Sequence, residues 1–322
     1  MSPVPPSVAP PVPCLVGPTA SGKSEVGVAL ARAVGGEVIA CDAMTVYRGI
    51  SILTAKPTVP PDVPHHLLDV LDPWETYSAG RFLDDADRCV AEVRGRGRVP
   101  LLVGGTVLYL QTFLKGLGPR VGRDEALRAE LEARVARDGP SALAARLRAL
   151  DPVRADAIHP HDVRRLVRAI EIVTVTGRPA SSLRGEWTSP DRAPAIVVGL
   201  RRGDDDLRRR IEARADAMFR TGLREEVAAL LAAPRPPSRE LAQALGLADV
   251  AAHLRGEFPE AACRERLVRA TWRFTRRQAT FLRQVPAVWV EVPPDEPPDA
   301  TAGRVQGVLA ERGAAPAPRP QP

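Results

Sequence analysis

The sequence predicts an α/β fold, a parallel sheet flanked by helices and interrupted by an all-helical insertion domain. Three observations predict it. Residues 12–115 alternate short apolar runs with helix-like stretches, the β-α-β rhythm of a parallel sheet. Residues 17–24 read Gly17, Pro18, Thr19, Ala20, Ser21, Gly22, Lys23 and Ser24, a complete G-x-x-x-x-G-K-[ST] phosphate-binding loop between a strand-like and a helix-like run. Residues 120–185 then read as amphipathic helices with no strand between them.

Strands are expected at 12–16, at 37–41 and at 99–103, the last running into Gly104, Gly105 and Thr106. Helices are expected at 24–34, 78–94 and 107–115. A parallel sheet binds its ligand at the carboxyl ends of its strands, where the loops 17–24, 42–47 and 104–106 all fall. With its phosphate loop the sheet reads as P-loop NTPase-like. The insertion, 119–193, carries helices at 124–137, 141–150 and 162–175. Residues 195–200 rejoin the sheet, and helices follow at 208–232 and 260–283. The catalytic core is therefore expected as 12–118 with 194–292. A disordered Pro-rich lead, 1–11, and an untethered Pro/Ala-rich tail, 293–322, flank it.

Composition narrows the function. No apolar run approaches the ~20 residues that span a bilayer, and no basic-then-apolar leader opens the chain. No membrane partner is expected. Cys14, Cys41, Cys89 and Cys263 form no C-x-x-C pair, and the histidines stand at no helical metal-ligand spacing. That argues against zinc or disulfides and for a reducing cytoplasm. The net charge of +6 calls for an acidic partner, of which nucleic acid is the commonest. On the helix at 260–283, Arg266, Arg269, Arg273, Arg276 and Arg277 line one face, with Leu267, Ala270, Phe274 and Phe281 nearer the other. Seven arginines against the single acid Glu265 between 263 and 283 repel one another unless an anion lies along them.

In the phosphate loop, Gly17 and Gly22 let the backbone curl so that its N–H groups face an anion. Lys23 adds a point charge, and Ser24 offers a hydroxyl to Mg²⁺, the expected cofactor. Of 45 Lys plus Arg only Lys23, Lys56 and Lys115 are lysine. A compact ammonium enters a tight ring of donors where a planar guanidinium does not, and the same bias singles out Lys56. Such loops most often hold ATP or GTP with a strand-end aspartate organising the metal, a place Asp42 fills. Yet no adenine pocket and no arginine lid is recognisable. The other reading is a diphosphate held as leaving group: the loop stabilises charge as a C–O bond breaks, and Asp42 is free to act as general base.

The motif series resembles bacterial tRNA dimethylallyltransferases. The matching segments are 17–24, Asp42 through Tyr47, Thr54-Ala55-Lys56-Pro57, His65-His66-Leu67, Tyr77-Ser78-Ala79, Leu102 through Thr106 and Leu108-Tyr109. Further matches are Asp151-Pro152, Ile158 to Pro160, Asp162 with Arg165, Arg168 to Glu171, Gly222 to Val227, Thr271 and Arg276 to Thr280. They run in the family's order across residues 12–290. The resemblance implies transfer of a dimethylallyl group from its diphosphate to the N6 amine of the adenosine 3′ to the anticodon. It implies Asp42 as general base, residues 17–24 as the diphosphate site with Thr19, Lys23 and Ser24 foremost, and Arg214 as a further clamp. Thr106 would position the adenine and the bridging oxygen. Contacts to the tRNA anticodon stem-loop would come from Asp42, Ala43, Met44, Thr45, Thr106, Arg128, His161, Asp162, Val163, Arg164, Arg165 and Gln278. A monomer is expected.

The chain departs from that pattern at Ala43, Leu53, Val107, Asp204 and Leu247. None of these removes a proposed catalytic group, though Ala43 borders the target base. A nucleotide or small-molecule kinase and a non-catalytic RNA-binding protein are the competing readings. A kinase needs no arginine-lined helical insertion, and a pure binder needs no phosphate loop.

Overall fold

The computed structural model describes residues 9–117, 122, 124–183, 192 and 194–315. Parts of the expected lead (1–8), insertion (119–121, 123, 184–191, 193) and tail (316–322) lie outside the described residues, as does residue 118 of the core. The chain divides into two compact units, Met1–Leu114 with Ala193–Pro322, and Lys115–Arg192.

The first unit is a six-stranded, all-parallel sheet in the order β3-β2-β4-β1-β5-β6. Its strands are β1 (Val12–Val16), β2 (Gly36–Cys41), β3 (His65–His66), β4 (Val99–Gly104), β5 (Ala195–Arg201) and β6 (Val288–Glu291). The helices are α1 (Lys23–Val34), α2 (Ala79–Gly95), α3 (Val107–Lys115), α8 (Asp204–Arg220), α9 (Leu223–Leu231), α10 (Leu247–Leu254), α11 (Glu260–Leu282) and α12 (Pro298–Ala310). Every residue of β1 and β2 is buried, Glu37 of β2 included, as central strands in a sheet covered on both faces are. The strand order reverses beside β1: β2 and β3 lie beyond β4, whereas β5 and β6 lie on the other side. Such a reversal opens a crevice at the carboxyl ends.

Register sets that edge level. Val16 of β1 and Cys41 of β2 both pair with Gly104 of β4. Gly17, Asp42 and Gly105 are therefore the next residues on three adjacent strands, each about 4.8 Å from the next. Gly105 has no room for a side chain: a Cβ there would lie 2.9 Å from Gln278 Nε2 and 3.0 Å from the Gly17 carbonyl oxygen.

Three expectations need correction. The segment from 293 is not an untethered tail. Ala302, Val305 and Leu309 of α12 recur at helical spacing and are buried in the same cluster as Leu30 and Val34 of α1, a stripe that the surrounding prolines obscure. The helix expected at 208–232 is two helices, broken at Gly222, whose φ of 106° is a left-handed turn. On α11 the buried face is Cys263, Leu267, Thr271, Thr275, Gln278 and Leu282. Phe274 is only half-buried and Phe281 is exposed. The inward face is polar at its centre because it meets polar loops.

The second unit is helical among its described residues: α4 (Glu125–Asp138), α5 (Pro140–Leu150), α6 (Pro152–Asp156) and α7 (Val163–Thr176). Its core joins Leu127 and Leu131 of α4, Leu143 and Leu147 of α5, and Leu166 and Ile170 of α7. It therefore folds around apolar contacts of its own.

Candidate active site

The phosphate loop connects β1 to α1. Ala20 (φ 67°) and Gly22 (φ 87°) adopt left-handed backbone, which curls the chain into a concavity. Gly22 caps α1 without a side-chain hydrogen bond, so the N–H groups of the first turn have no intrahelical partner and form an anion site. Two arginines hold the loop from outside: Arg202 Nε donates to the Ser21 carbonyl at 2.9 Å, and Arg210 Nε to the Ala20 carbonyl at 2.9 Å. Drawing these carbonyls outward turns the intervening amides inward. Arg202 is itself held by Asp206 at 2.7 Å in a buried ion pair. Neither arginine had a legible role in the sequence.

Lys23 sits at the mouth of α1, with Nζ 3.4 Å from the Pro18 carbonyl. Burial pushes its ammonium down to about 8, while neighbouring Asp42 pulls it up and Arg214 pulls it further down. Arg214 of α8 is half-buried and is lowered by the same desolvation, with Glu25 opposing it and Arg210 adding to it. These cations are held close together with few anions, an arrangement that favours a polyanionic ligand.

Asp42 follows β2. Its Oδ1 accepts from the Met44 N–H (2.8 Å) and the Thr45 N–H (3.3 Å), a local turn that orients the carboxylate. These bonds leave Oδ2 without a hydrogen bond from the described residues. The Thr106 hydroxyl accepts from the Ala43 N–H at 3.1 Å, and the Thr106 N–H donates to the Cys41 carbonyl at 3.3 Å. The V-G-G-T loop and the Asp42 loop are thereby one unit. Gln278 is buried, and its amide bonds to Thr19 and to Gly105. Expected as a tRNA contact, it is a strut between the phosphate loop and the V-G-G-T loop.

Two spaces meet here. A slot of about 50 Å³ is lined by Lys23, Ser24, Asp42, Thr45, His65 and Val103. A cleft of about 820 Å³ runs along Ser24, Glu25, Ile52, Lys56, Arg214 and Met218. Ser24, Ala55 and Pro57 line both. The hydroxyls of Ser21 and Thr45 are buried without a partner among the described residues.

Around the cleft, motif residues turn out to be fastenings. Lys56 Nζ donates to the Tyr47 carbonyl at 2.7 Å and pairs with Asp69, with only 6% of its side chain exposed. Glu226 of α9 accepts from the N–H groups of Ser51 (2.7 Å), Ile52 (2.9 Å) and Leu53 (2.8 Å), so one carboxylate holds a whole turn of the cleft wall. His66 bonds to buried Glu37 at 2.7 Å and pins β3 to β2.

In the helical unit the expected tRNA contacts divide. Arg128 donates from Nε and a terminal nitrogen, both at 2.7 Å, to fully buried Glu171, which also accepts from the Asp124 N–H (2.9 Å) and from Arg168 (2.5 Å). Burial alone would raise the Glu171 carboxyl, but these donors bring it down to about 2. Asp162 caps α7 by accepting from the Arg165 N–H, and Val163 packs on the unit's core. His161, Arg164 and Arg165 are exposed. The His161 and His159 rings lie tilted at 34° to each other, with centroids 5.5 Å apart.

Comparison with known proteins places this arrangement. A family described as "IPP transferase" matches residues 45–285, and one described as "Isopentenyl transferase" matches residues 10–60. The tRNA dimethylallyltransferase of Geobacter sulfurreducens is 43% identical over 281 residues, 86% of this chain and 90% of that protein. That of Chloroflexus aurantiacus is 44% identical over 288 residues, 88% of this chain and 96% of that protein. Among solved structures, the tRNA isopentenylpyrophosphate transferase of Bacillus halodurans is 35% identical. It superposes with a TM-score of 0.67, covering 94% of this chain and 96% of that one.

Proposed function

The chain belongs to the IPP transferase family, and on that premise we propose that it transfers a dimethylallyl group from dimethylallyl diphosphate to the N6 amine of the adenosine 3′ to the anticodon in tRNA, releasing diphosphate. The observation that carries this reading is the meeting of Asp42, Thr106 and the phosphate loop at the level ends of three adjacent strands.

An allylic C–O bond breaks with carbocation character, so stabilising the departing diphosphate is the main task. The first-turn amides of α1, Lys23 and Arg214 receive that charge. Thr106 has its hydroxyl lone pair on the Ala43 N–H and its proton to give, which suits it to donate to the bridging oxygen. The exocyclic amine loses a proton as it attacks, and Asp42 Oδ2 is the base that takes it. Ser24 in the first turn lines the same slot as Asp42, and its hydroxyl would hold Mg²⁺ together with the substrate phosphates, leaving Asp42 free as base. Bound there, the cation would neutralise charge on the leaving group. Among the described residues no group of three or more His, Cys, Asp or Glu could hold a metal by itself.

The anticodon loop presents its adenosine at a smaller unstacking cost than a duplex would. Phosphate contacts come from the exposed Arg164 and Arg165 and from Arg273 and Arg277 of α11. The stripe expected to be uncompensated is partly paired, Arg264 with Asp216, Arg266 with Asp249 and Arg276 with Asp204. No helix among the described residues is long and apolar enough to cross a membrane. We place the enzyme in the cytoplasm, acting as a monomer.

The test is incubation of purified protein with Mg²⁺, unmodified tRNA and radiolabelled dimethylallyl diphosphate, with ATP in a parallel tube. Label entering tRNA without ATP supports the transferase. ATP consumption with no label in tRNA assigns the phosphate loop to a kinase.

A further inference from the structure

We infer that Gln278 is a positioning residue that fixes the Thr19 hydroxyl as a hydrogen-bond acceptor, so that Thr19 serves the incoming amine and not the diphosphate. The inference rests on the transferase reading and reverses the role expected of Thr19 within it.

The orientation of the Gln278 amide follows from its neighbours. The Thr19 N–H can only donate, so the atom 2.9 Å from it is Oε1. The Gly105 carbonyl can only accept, so the atom 2.9 Å from it is Nε2. Thr19 Oγ1 lies 3.0 Å from the same Oε1. That oxygen carries no proton, so the contact is a hydrogen bond only when the hydroxyl donates. A hydroxyl has one proton, and once it is given to Gln278 only lone pairs remain.

An ionised diphosphate oxygen is also an acceptor. Neither the N–H nor the hydroxyl of Thr19 is therefore left to bind it, and the diphosphate falls to the first turn of α1, Lys23 and Arg214. What Thr19 can meet is a donor. The N6 amine brings two N–H bonds, one of which Asp42 must take as base. Gly17, two residues before Thr19, stands level with Asp42 on the sheet edge, and from that side Thr19 would receive the other and hold the nitrogen lone pair towards the allylic carbon. The two threonines thus have opposite polarity, each set by a neighbour. Thr106 keeps its proton because it accepts from the Ala43 N–H, and Thr19 gives its proton up because Gln278 accepts it.

The place of Gln278 makes this consequential. It sits on α11, one position beyond the exposed Arg276 and Arg277, and is itself buried. Its bonds join segments far apart in sequence, so a single amide sets both the phosphate loop and the V-G-G-T loop.

Thr19→Val and Gln278→Met, singly and together, test the proposal, with Thr19→Ser as the conservative variant. Binding of inorganic diphosphate is measured by calorimetry, tRNA binding across a salt series, and kcat by label transfer. Thr19→Val is expected to lower kcat at least tenfold with diphosphate affinity within twofold of wild type, and Thr19→Ser to restore kcat. Gln278→Met is expected to lower kcat with tRNA affinity and salt slope unchanged, and to add little in the Thr19→Val background. Diphosphate affinity falling in step with kcat in Thr19→Val would return Thr19 to the diphosphate site and overturn the proposal. Weakened tRNA binding with intact kcat in Gln278→Met, or additive effects in the double variant, would overturn it as well. Wild-type protein that transfers no label refutes the transferase reading instead, and the diphosphate arm still decides the polarity of Thr19. Should Gln278→Met fail to fold, Thr19→Val and Thr19→Ser decide alone.

Discussion

Burial holds the Lys23 ammonium down at about 8, so the free protein begins to lose this charge just above neutrality. A diphosphate needs the ammonium and raises it again, since a nearby anion favours the charged form. Binding of inorganic diphosphate should therefore take up a proton between about pH 7.5 and 9.5, and affinity should fall as pH rises through that window, by up to tenfold per pH unit. Calorimetry in buffers of different ionisation enthalpy checks this, and Lys23→Met should abolish the uptake. No uptake in the wild type would mean that the ligand does not approach Lys23. The phosphate loop, Asp42 and Thr106 are legible in the sequence because their chemistry is local: a strand end, a turn, a helix start. The groups that orient them are not. Gln278 reaches Thr19 across 259 residues, Arg202 reaches Ser21 across 181, and Glu226 reaches Leu53 across 173. Nothing in local spacing announces such partners. The lysine bias did point to Lys56, whose ammonium fills a closed carbonyl and carboxylate site and acts as a fastening.

At the scale of elements, α4 and α7 carry arginines of two kinds that sequence spacing does not separate. Arg128 faces the fully buried Glu171 across the helices, and removing it leaves that carboxylate with Arg168 and the Asp124 N–H as partners. Arg128→Ala should destabilise the helical unit by about 1.5–3 kcal/mol, the loss of a hydrogen-bonded charge pair, read as a fall in its thermal midpoint. Arg165 is exposed beside its own cap residue, so Arg165→Ala should leave the midpoint nearly unchanged while flattening the salt dependence of tRNA binding by about one unit of slope. The opposite pattern would exchange their roles. Glu171 also gives the unit an acid limit. Its folded-state carboxyl lies at about 2, below its ordinary value, so its contribution is full above about pH 4.5 and is lost as pH falls towards 2. The helix α12 is a second element hidden from the sequence, because prolines at 293–298 mask the apolar stripe Ala302, Val305 and Leu309. Ending the chain after Val292 should cost about 3 kcal/mol or more from lost apolar burial against α1. It also removes the Pro293 carbonyl that Arg202 holds at 3.1 Å. A truncated chain with an unchanged midpoint would show that α12 contributes nothing to the core.

Across the whole molecule, a parallel sheet whose register brings three strand ends level carries the phosphate loop, and a separate helical unit carries the exposed Arg164 and Arg165. The fold class was legible because continuous apolar strands and the phosphate loop are strong local signals. The short β3, the edge strand β6 and the polar buried face of α11 were not, since each takes its character from what it packs against. The account stands on Asp42 acting as base on a tRNA amine while other groups hold the diphosphate. Single-turnover transfer of labelled dimethylallyl to unmodified tRNA by wild type and by Asp42→Asn, with tRNA and diphosphate affinities measured alongside, tests it most directly. Asparagine keeps the shape and still accepts from the Met44 and Thr45 N–H groups, but cannot take a proton. The expected result is a rate at least about 10²–10⁴-fold lower with both affinities within a few-fold of wild type. An Asp42→Asn protein that transfers the label at the wild-type rate would contradict the account.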